Sequence, residues 1–280
     1  MGRTENVAIF QDTQKMYKTH TKLKENLANS IATEKLILET DEVVNIEKNI
    51  YEEPAKVVVS KKKSFQAASE YKGQKVCVHN FASASNPGGG VVNGATAQEE
   101  CLCRISTLYD CLNTDEMLKG FYNPHRAAHD PIHNDDIIYT PDVTVFKTDT
   151  DMPRLMEEAD WYQVDVVTCA APNLRNNPSN SYNSGDGNKP AKLTDAKLQE
   201  LHEKRLRRIL DVAIMNGVEV VILGAFGCGA FANDPYVVAK AAKRVVAEYK
   251  NAFKTIEFAV YCGPRDDKNY RVFQATMSGR

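Results

Sequence analysis

The chain has 280 residues, enough for one large domain or one domain with an extension. Its 35 Lys and Arg against 37 Asp and Glu leave a net charge of -2, which excludes a basic surface built to coat nucleic acid. No apolar run approaches the roughly 18–20 residues of a membrane span, and Met1–His20 lacks a signal-peptide core, so a soluble cytoplasmic protein is expected.

In chain order, residues 5–38 read as helical with little apolar density, an N-terminal extension. Strand-like runs follow at residues 56–60, 74–82, 136–146, 163–173, 218–227 and 253–263. Helical patterns fall between them, at 64–71, 96–112, 194–216, 235–250 and 267–277. This alternation predicts an α/β architecture with a mainly parallel, buried sheet. Residues 173–192 form a long polar loop, read either as a mobile connection or as a lid or rim on a site. The seven cysteines form no C-x-x-C pair and sit largely on core-like elements, as reduced thiols do in the cytoplasm.

Two strands end in glycine-rich turns that lead into helices, where ligands of open α/β sheets bind. The later one, "GAFGCGAFANDP", has Asp234 placed as an N-cap and Pro235 at the first helical position. Free N–H groups at such a turn suit a phosphate, although a tight turn alone also uses glycine. "GCGAFA" matches the dinucleotide fingerprint G-x-G-x-x-A, but it lies near the chain's end, and the candidate acidic partner Glu248 falls inside a helix. That argues against a nicotinamide oxidoreductase.

The earlier turn is "NPGGGVVNGATAQEE". Thr96 and Glu99 have the spacing of a capping box, which gives Glu99 a structural explanation. Glu100 is rotated by about 100° from Glu99 on a helix and has no such role. An exposed first-turn carboxylate is its plain reading. That reading leaves Gly88, Gly89 and Gly90 unexplained. Bare backbone followed by an aimed carboxyl group suits cleavage of a glycosidic bond, first as acid and then as base. A ribose beside a diphosphate, as in ADP-ribose, fits between the two loops.

"GGGVVNGATAQEE", a GGG-x7-QEE pattern, together with "GAFGCGAFANDP", resembles the microbial-type poly(ADP-ribose) glycohydrolase family. "NFASASNPGGG", "IIYTPDVTVF" and "FAVYCG" resemble the same branch, and the likeness runs from about residue 5 to residue 275. The resemblance implies a macrodomain-like three-layer α/β/α sandwich over residues 51–280, with the N-terminal helical extension over residues 1–50. It implies hydrolysis of ribose–ribose bonds in poly(ADP-ribose), with ADP-ribose as product and no metal or other cofactor. Glu100 would be the acid–base residue. Glu99 would bind ribose hydroxyls, in competition with the capping box, and Gln98 would hold the pair. Ser83, Asn86, Gly88, Gly89 and Gly90 would line the ribose side. Gly227, Cys228, Gly229, Ala230 and Phe231 would wrap the diphosphate, with core packing the other reading of the Phe231 ring. Ala230 and Ala232 stand where many family loops carry Val and Gly. A non-catalytic ADP-ribose reader shares the fold but has no need of QEE. An ADP-ribosyl hydrolase acting on mono-ADP-ribosylated protein or nucleobase stays open as well. Partners are expected to be the polymer or ADP-ribosylated protein, without membrane or nucleic acid. His125, His129 and His133 have a spacing that suggests zinc, but Pro131 interrupts any helix that would align them. A polar connection into the next strand is the reading preferred for them.

Overall fold

A computed structural model describes residues 2–44, 46–180, 185–263 and 266–279. The chain opens with two helices, α1 (Arg3–Thr19) and α2 (Thr21–Thr33), then β1 (Lys35–Ile37) and β2 (Lys56–Ser60). There follow α3 (Ser64–Ala68), β3 (Val76–Phe81), α4 (Gln98–Ile105), α5 (Leu108–Leu112), α6 (Asp115–Met117) and α7 (Asn123–Ala128). The rest is β4 (Ile137–Val145), β5 (Tyr162–Cys169), α8 (Asp195–Met215), β6 (Val220–Leu223), α9 (Pro235–Glu248), β7 (Thr255–Ala259) and α10 (Lys268–Met277).

The strands form one mixed sheet of seven, in the order β1-β4-β5-β3-β6-β7-β2. Strands β5, β3, β6, β7 and β2 run parallel, while β4 is antiparallel to both its neighbours. Alternate residues of the parallel strands feed two cores, as pleating requires. Cys77, Val221 and Leu223 pack with α8, α9 and α10 on one face. Val76, Val78, Val220 and Ile222 pack with α3, α4 and α5 on the other. The result is the expected α/β/α sandwich.

Three local readings need correction. The helical pattern of residues 5–38 is two helices that meet at His20, followed by the edge strand β1. The helix expected over 96–112 breaks at Ser106, where Ser106 pairs with Val145 and the Thr107 N–H donates to the Thr144 carbonyl. The gain of sheet bonds at the end of β4, with Ser106 Oγ accepting from the Leu108 N–H at 3.2 Å, outweighs helix continuity. The segment around His125, read as a connection, contains the helix α7. Strand β4 accommodates its internal Pro141 through a register shift between Thr140 and Val143. No helix among the described residues is long and apolar enough to cross a membrane.

Candidate active site

The carboxyl ends of β3, β5, β6 and β7 open into a cleft of about 710 Å³, walled by Phe81, Ala171, Ala225 and Ala259. Both glutamates lie at its floor, buried to 3% and 7% exposure for Glu99 and Glu100. Their surroundings differ. Glu99 Oε2 accepts from the Ser83 N–H at 2.8 Å, and Oε1 accepts from Asn80 Nδ2 at 3.3 Å. Glu100 Oε1 accepts from the Gly90 N–H at 2.8 Å. Glu100 Oε2 is buried and has no hydrogen-bond partner among the described residues. A carboxyl group held by one oxygen, with the other unused, is what proton transfer to a ligand requires.

The helix start is pinned by Gln98. Its Oε1 accepts from the Phe81 N–H at 2.9 Å, and its Nε2 donates to the His79 carbonyl at 2.8 Å and to Ser64 Oγ at 3.0 Å. These bonds tie α4 to the end of β3 and to α3. The capping box expected at Thr96 does not form: α4 starts one residue later, with Ala97 at the N-cap and no side-chain cap. The reason is that Glu99 faces inward, where Ser83 and Asn80 take its two oxygens. Thr96→Ala is therefore expected to change stability by less than about 0.5 kcal/mol, measured by thermal melting. A loss near 1 kcal/mol would restore the box.

Burial raises both carboxyl groups above the ordinary range. For Glu99 it reaches about 8, opposed by the Ser83 N–H and reinforced by the neighbouring Glu100. For Glu100 the direction is also upward, again through burial, with the Gly90 N–H acting against it. A carboxyl whose folded pKa lies above its unfolded value stabilises the fold fully below that unfolded value, near 4.5 for Glu99, and loses the contribution as pH climbs through about 8. The melting temperature should fall between pH 5 and pH 8, and Glu99→Gln should flatten that slope. Parallel slopes for the two proteins would contradict the protonated, buried Glu99.

Ser83, Gly89, Gln98, Gly227, Gly229, Ala230 and Phe231 line the same cleft as the glutamates. Asn86, Gly88, Gly90 and Cys228 do not. The Asn86 carbonyl closes the turn by accepting from the Gly89 N–H at 2.9 Å. Gly88 lies against the Tyr109 ring, Gly90 supports Glu100 through its N–H, and the Cys228 thiol donates to the Phe226 carbonyl at 3.7 Å. Gly89 must be bare: with φ +56, a β-carbon there would stand 2.5 Å from Glu100 Oε1 and 3.1 Å from Glu99 Oε2.

The second loop is held from behind by Asn233, which sequence reasoning missed. Its Nδ2 donates to the carbonyls of Pro172, Gly227 and Phe231 at 2.7, 3.1 and 3.2 Å. Its Oδ1 faces His202 Nε2 at 2.8 Å. Burial holds His202 down to about 4, so the ring is neutral beneath the loop. Asp234 caps α9, accepting from the Tyr236 N–H at 2.8 Å. The N–H groups of Gly229, Ala230 and Phe231 meet no acceptor among the described residues, so this turn offers donors to an anion. The Phe231 ring sits on the cleft wall and lies 6.0 Å from His133.

The histidines do not converge on a metal. His125 Nδ1 and Nε2 lie 2.7 Å from the Phe121 carbonyl and from Asn134 Oδ1. His133 lies against the Ala171 carbonyl and 3.1 Å from Asp186. No group of three or more His, Cys, Asp or Glu among the described residues is arranged for a cation. Of the 173–192 loop, residues 181–184 lie outside the described residues, while Arg175 and Asn180 line the cleft. Arg175 and Asn80 also escaped the sequence reading. Asn80 opens the quoted NFASASNPGGG stretch but nothing in its spacing marks it, Arg175 belongs to no motif, and only the fold brings them to Glu99 and to the cleft.

A sheet sandwiched between helical layers, with a carboxyl-floored cleft at its strand ends, defines a macrodomain-like α/β protein. Residues 4–148 match the family described as microbial-type PARG, catalytic domain, and the chain belongs to that family. The chain is similar to a poly(ADP-ribose) glycohydrolase from Thermomonospora curvata, at 27% identity and TM-score 0.83, covering 98% of this chain and 100% of that one. The same enzyme bound to the inhibitor ADP-HPD matches at 27% identity and TM-score 0.78, covering 97% and 99% of the two chains. Poly(ADP-ribose) glycohydrolase from Deinococcus radiodurans in complex with ADP-ribose matches at 28% identity and TM-score 0.77, covering 90% and 97%. A search of curated proteins found no match.

Proposed function

We propose that the protein hydrolyses the ribose–ribose O-glycosidic bonds of poly(ADP-ribose) and releases ADP-ribose, with Glu100 as the acid–base residue. The observation that carries this is Glu100 itself: a carboxyl group with a raised pKa on the lining of the cleft between the two glycine loops, held by Gly90 through Oε1, its buried Oε2 without a hydrogen-bond partner among the described residues. Family membership and the related enzymes support the same reading.

Protonated Glu100 donates its proton to the oxygen of the departing ribose as the glycosidic C–O bond breaks. The sugar carbon passes through an oxocarbenium-like state. The Glu100 carboxylate then takes a proton from water, whose oxygen bonds to that carbon, and the acid form is restored. Glu99, fixed by Ser83 and Asn80, faces the ribose hydroxyls. Ser83 and Gly89 stand on the ribose side of the cleft, while Asn86, Gly88 and Gly90 shape the loop behind them, Asn86 by closing the turn on Gly89 and Gly90 by holding Glu100. The turn from Gly227 to Phe231 takes the diphosphate on the N–H groups of Gly229, Ala230 and Phe231, while the Cys228 N–H is spent on the Ala225 carbonyl and shapes the turn. Glu100 accepts and donates every proton in this scheme, so no metal or other cofactor enters. The seven free cysteines fit a reducing compartment, and we place the protein in the cytoplasm.

The deciding experiment incubates the protein with poly(ADP-ribose) and follows free ADP-ribose. Release at a rate well above the no-enzyme control is expected. Binding of ADP-ribose without release would make the protein a reader. Excess EDTA should leave the rate unchanged. A rate that collapses on chelation and returns with Mg²⁺ or Zn²⁺ would replace this mechanism with a metal-dependent one.

A further inference from the structure

The first helix carries a row of buried side chains that this reaction does not use. Asn6, Phe10, Thr13 and Tyr17 are its buried residues, spaced three and four apart and so on one face. That face lies against the segment bearing the glutamates. Asn6 Nδ2 donates to the Gly94 carbonyl at 3.1 Å. A β-carbon at Gly94, where φ is +73, would fall on the Arg3 carbonyl, so the loop backbone rests directly on the first turn of α1. Phe10 packs edge-on against Tyr109 with ring centroids 4.9 Å apart, and Tyr109 is the ring that backs Gly88. Thr13 Oγ1 donates to the Arg104 carbonyl at 2.6 Å. One helix face thus reaches both ends of the glycine loop and the last turn of α4.

The contacts continue inward. Arg104 is 3% exposed and forms no ion pair among the described residues; its guanidinium donates to the Ala95 carbonyl. A buried guanidinium with no ion pair is costly, and its charge also works against the burial that raises the Glu100 carboxyl, so its place under this loop is not incidental. The Ala95 N–H donates to the Gly90 carbonyl at 3.1 Å, and the Gly90 N–H is the group that holds Glu100 Oε1.

We propose that α1 is a positioning element of the reaction and that Asn6 is its positioning residue. Asn6 fixes the Gly94–Ala95 end of the loop, which keeps Gly90 on Glu100 Oε1 and leaves Oε2 directed to substrate. This rests on Glu100 as the acid–base residue. Asn6 also borders the cleft. A direct substrate contact is therefore the rival role, and it predicts a change in affinity in place of a change in turnover.

The test uses the full chain. Asn6→Leu removes the donor while keeping the number and branching of the side-chain heavy atoms. Tyr249→Phe, which removes a hydroxyl that lies 2.6 Å from Asp211 Oδ1 and 3.2 Å from the Arg207 carbonyl and does not line the cleft, controls for the loss of a hydrogen-bond donor. Asn6→Leu should lower kcat on poly(ADP-ribose) at least tenfold, with KM and the ADP-ribose Kd within twofold of wild type. Amide hydrogen exchange over residues 88–100 should quicken in that variant alone. Wild-type kcat in folded Asn6→Leu overturns the proposal. So does a Kd change as large as the kcat loss, or an equal loss in Tyr249→Phe. If Asn6→Leu does not fold, Thr13→Val, on the same face, should show the same selective kcat loss, and a wild-type kcat there overturns the proposal. If the wild-type protein releases no ADP-ribose, the functional reading fails, and hydrogen exchange alone judges the brace. Faster exchange confined to residues 88–100 upholds it, and unchanged exchange overturns it.

Discussion

Changing Glu100 to Gln lowers the rate of poly(ADP-ribose) hydrolysis by roughly 10²–10⁴-fold, the contribution of a positioned acid–base group. The amide keeps the carboxyl's shape, and its oxygen still accepts from the Gly90 N–H, so the loop has no reason to move. It cannot give up and recover a proton, and the aspartates that also line the cleft are engaged, Asp149 Oδ2 by the Phe65 and Gln66 N–H groups and Asp151 by Lys63. Glu99 stands next in the chain, but both its oxygens are engaged, by Ser83 and by Asn80. ADP-ribose affinity should stay within about threefold of wild type, because uniform binding does not depend on the lost proton. Single-turnover hydrolysis and titration calorimetry on one preparation measure the two quantities. Turnover near the wild-type rate would move the acid–base role away from Glu100. The raised pKa of Glu100 adds a pH test of the same role. The acid form donates, so activity should decline as pH rises past that pKa, and the residual activity of the variant should lack that limb.

Gly89→Ala tests the same geometry from the opposite side and is the second large effect. Its β-carbon would lie 2.5 Å from Glu100 Oε1, closer than van der Waals contact permits, so the carboxyl must swing or the loop must shift. Displacing a reacting group by about 1 Å costs on the order of 10²-fold in rate. The left-handed backbone at this position adds about 1–2 kcal/mol of strain for any residue with a β-carbon. We expect a melting temperature lowered by several degrees and a rate lowered on the order of 10²-fold. A variant with the strain but with full activity would show that the Gly89–Glu100 approach has no part in catalysis.

Much of the architecture was legible in the chain because the signals are local. The strands around residues 56–60, 76–81 and 220–223 are apolar runs bounded by polar turns. The long helices α8 and α9 carry their own Thr194 and Asp234 caps. Strand β1 was not legible: three residues following a helical pattern carry no period of their own, and they become a strand only because β4 offers an edge. The break at Ser106 has the same origin. Helical spacing runs on through it, and what interrupts it is a pairing with β4, distant in the chain.

For the site, the two glycine loops, the adjacent glutamates and the cap before α9 are readable from the chain alone, since turn chemistry and capping act within a few residues. The chain pointed to glycosidic chemistry through the pairing of bare backbone with carboxyl groups. Which glutamate keeps an oxygen without a partner among the described residues follows from contacts between distant segments. Ser83, sixteen residues before Glu99, holds Glu99 Oε2 while Asn80 holds Oε1, and the capping box therefore does not form. Only packing placed Asn233 behind the second loop and brought Asn6 to Gly94 across 88 positions of sequence. A buried polar group must find a partner wherever the fold supplies one, and periodicity and spacing carry no record of segments so far apart.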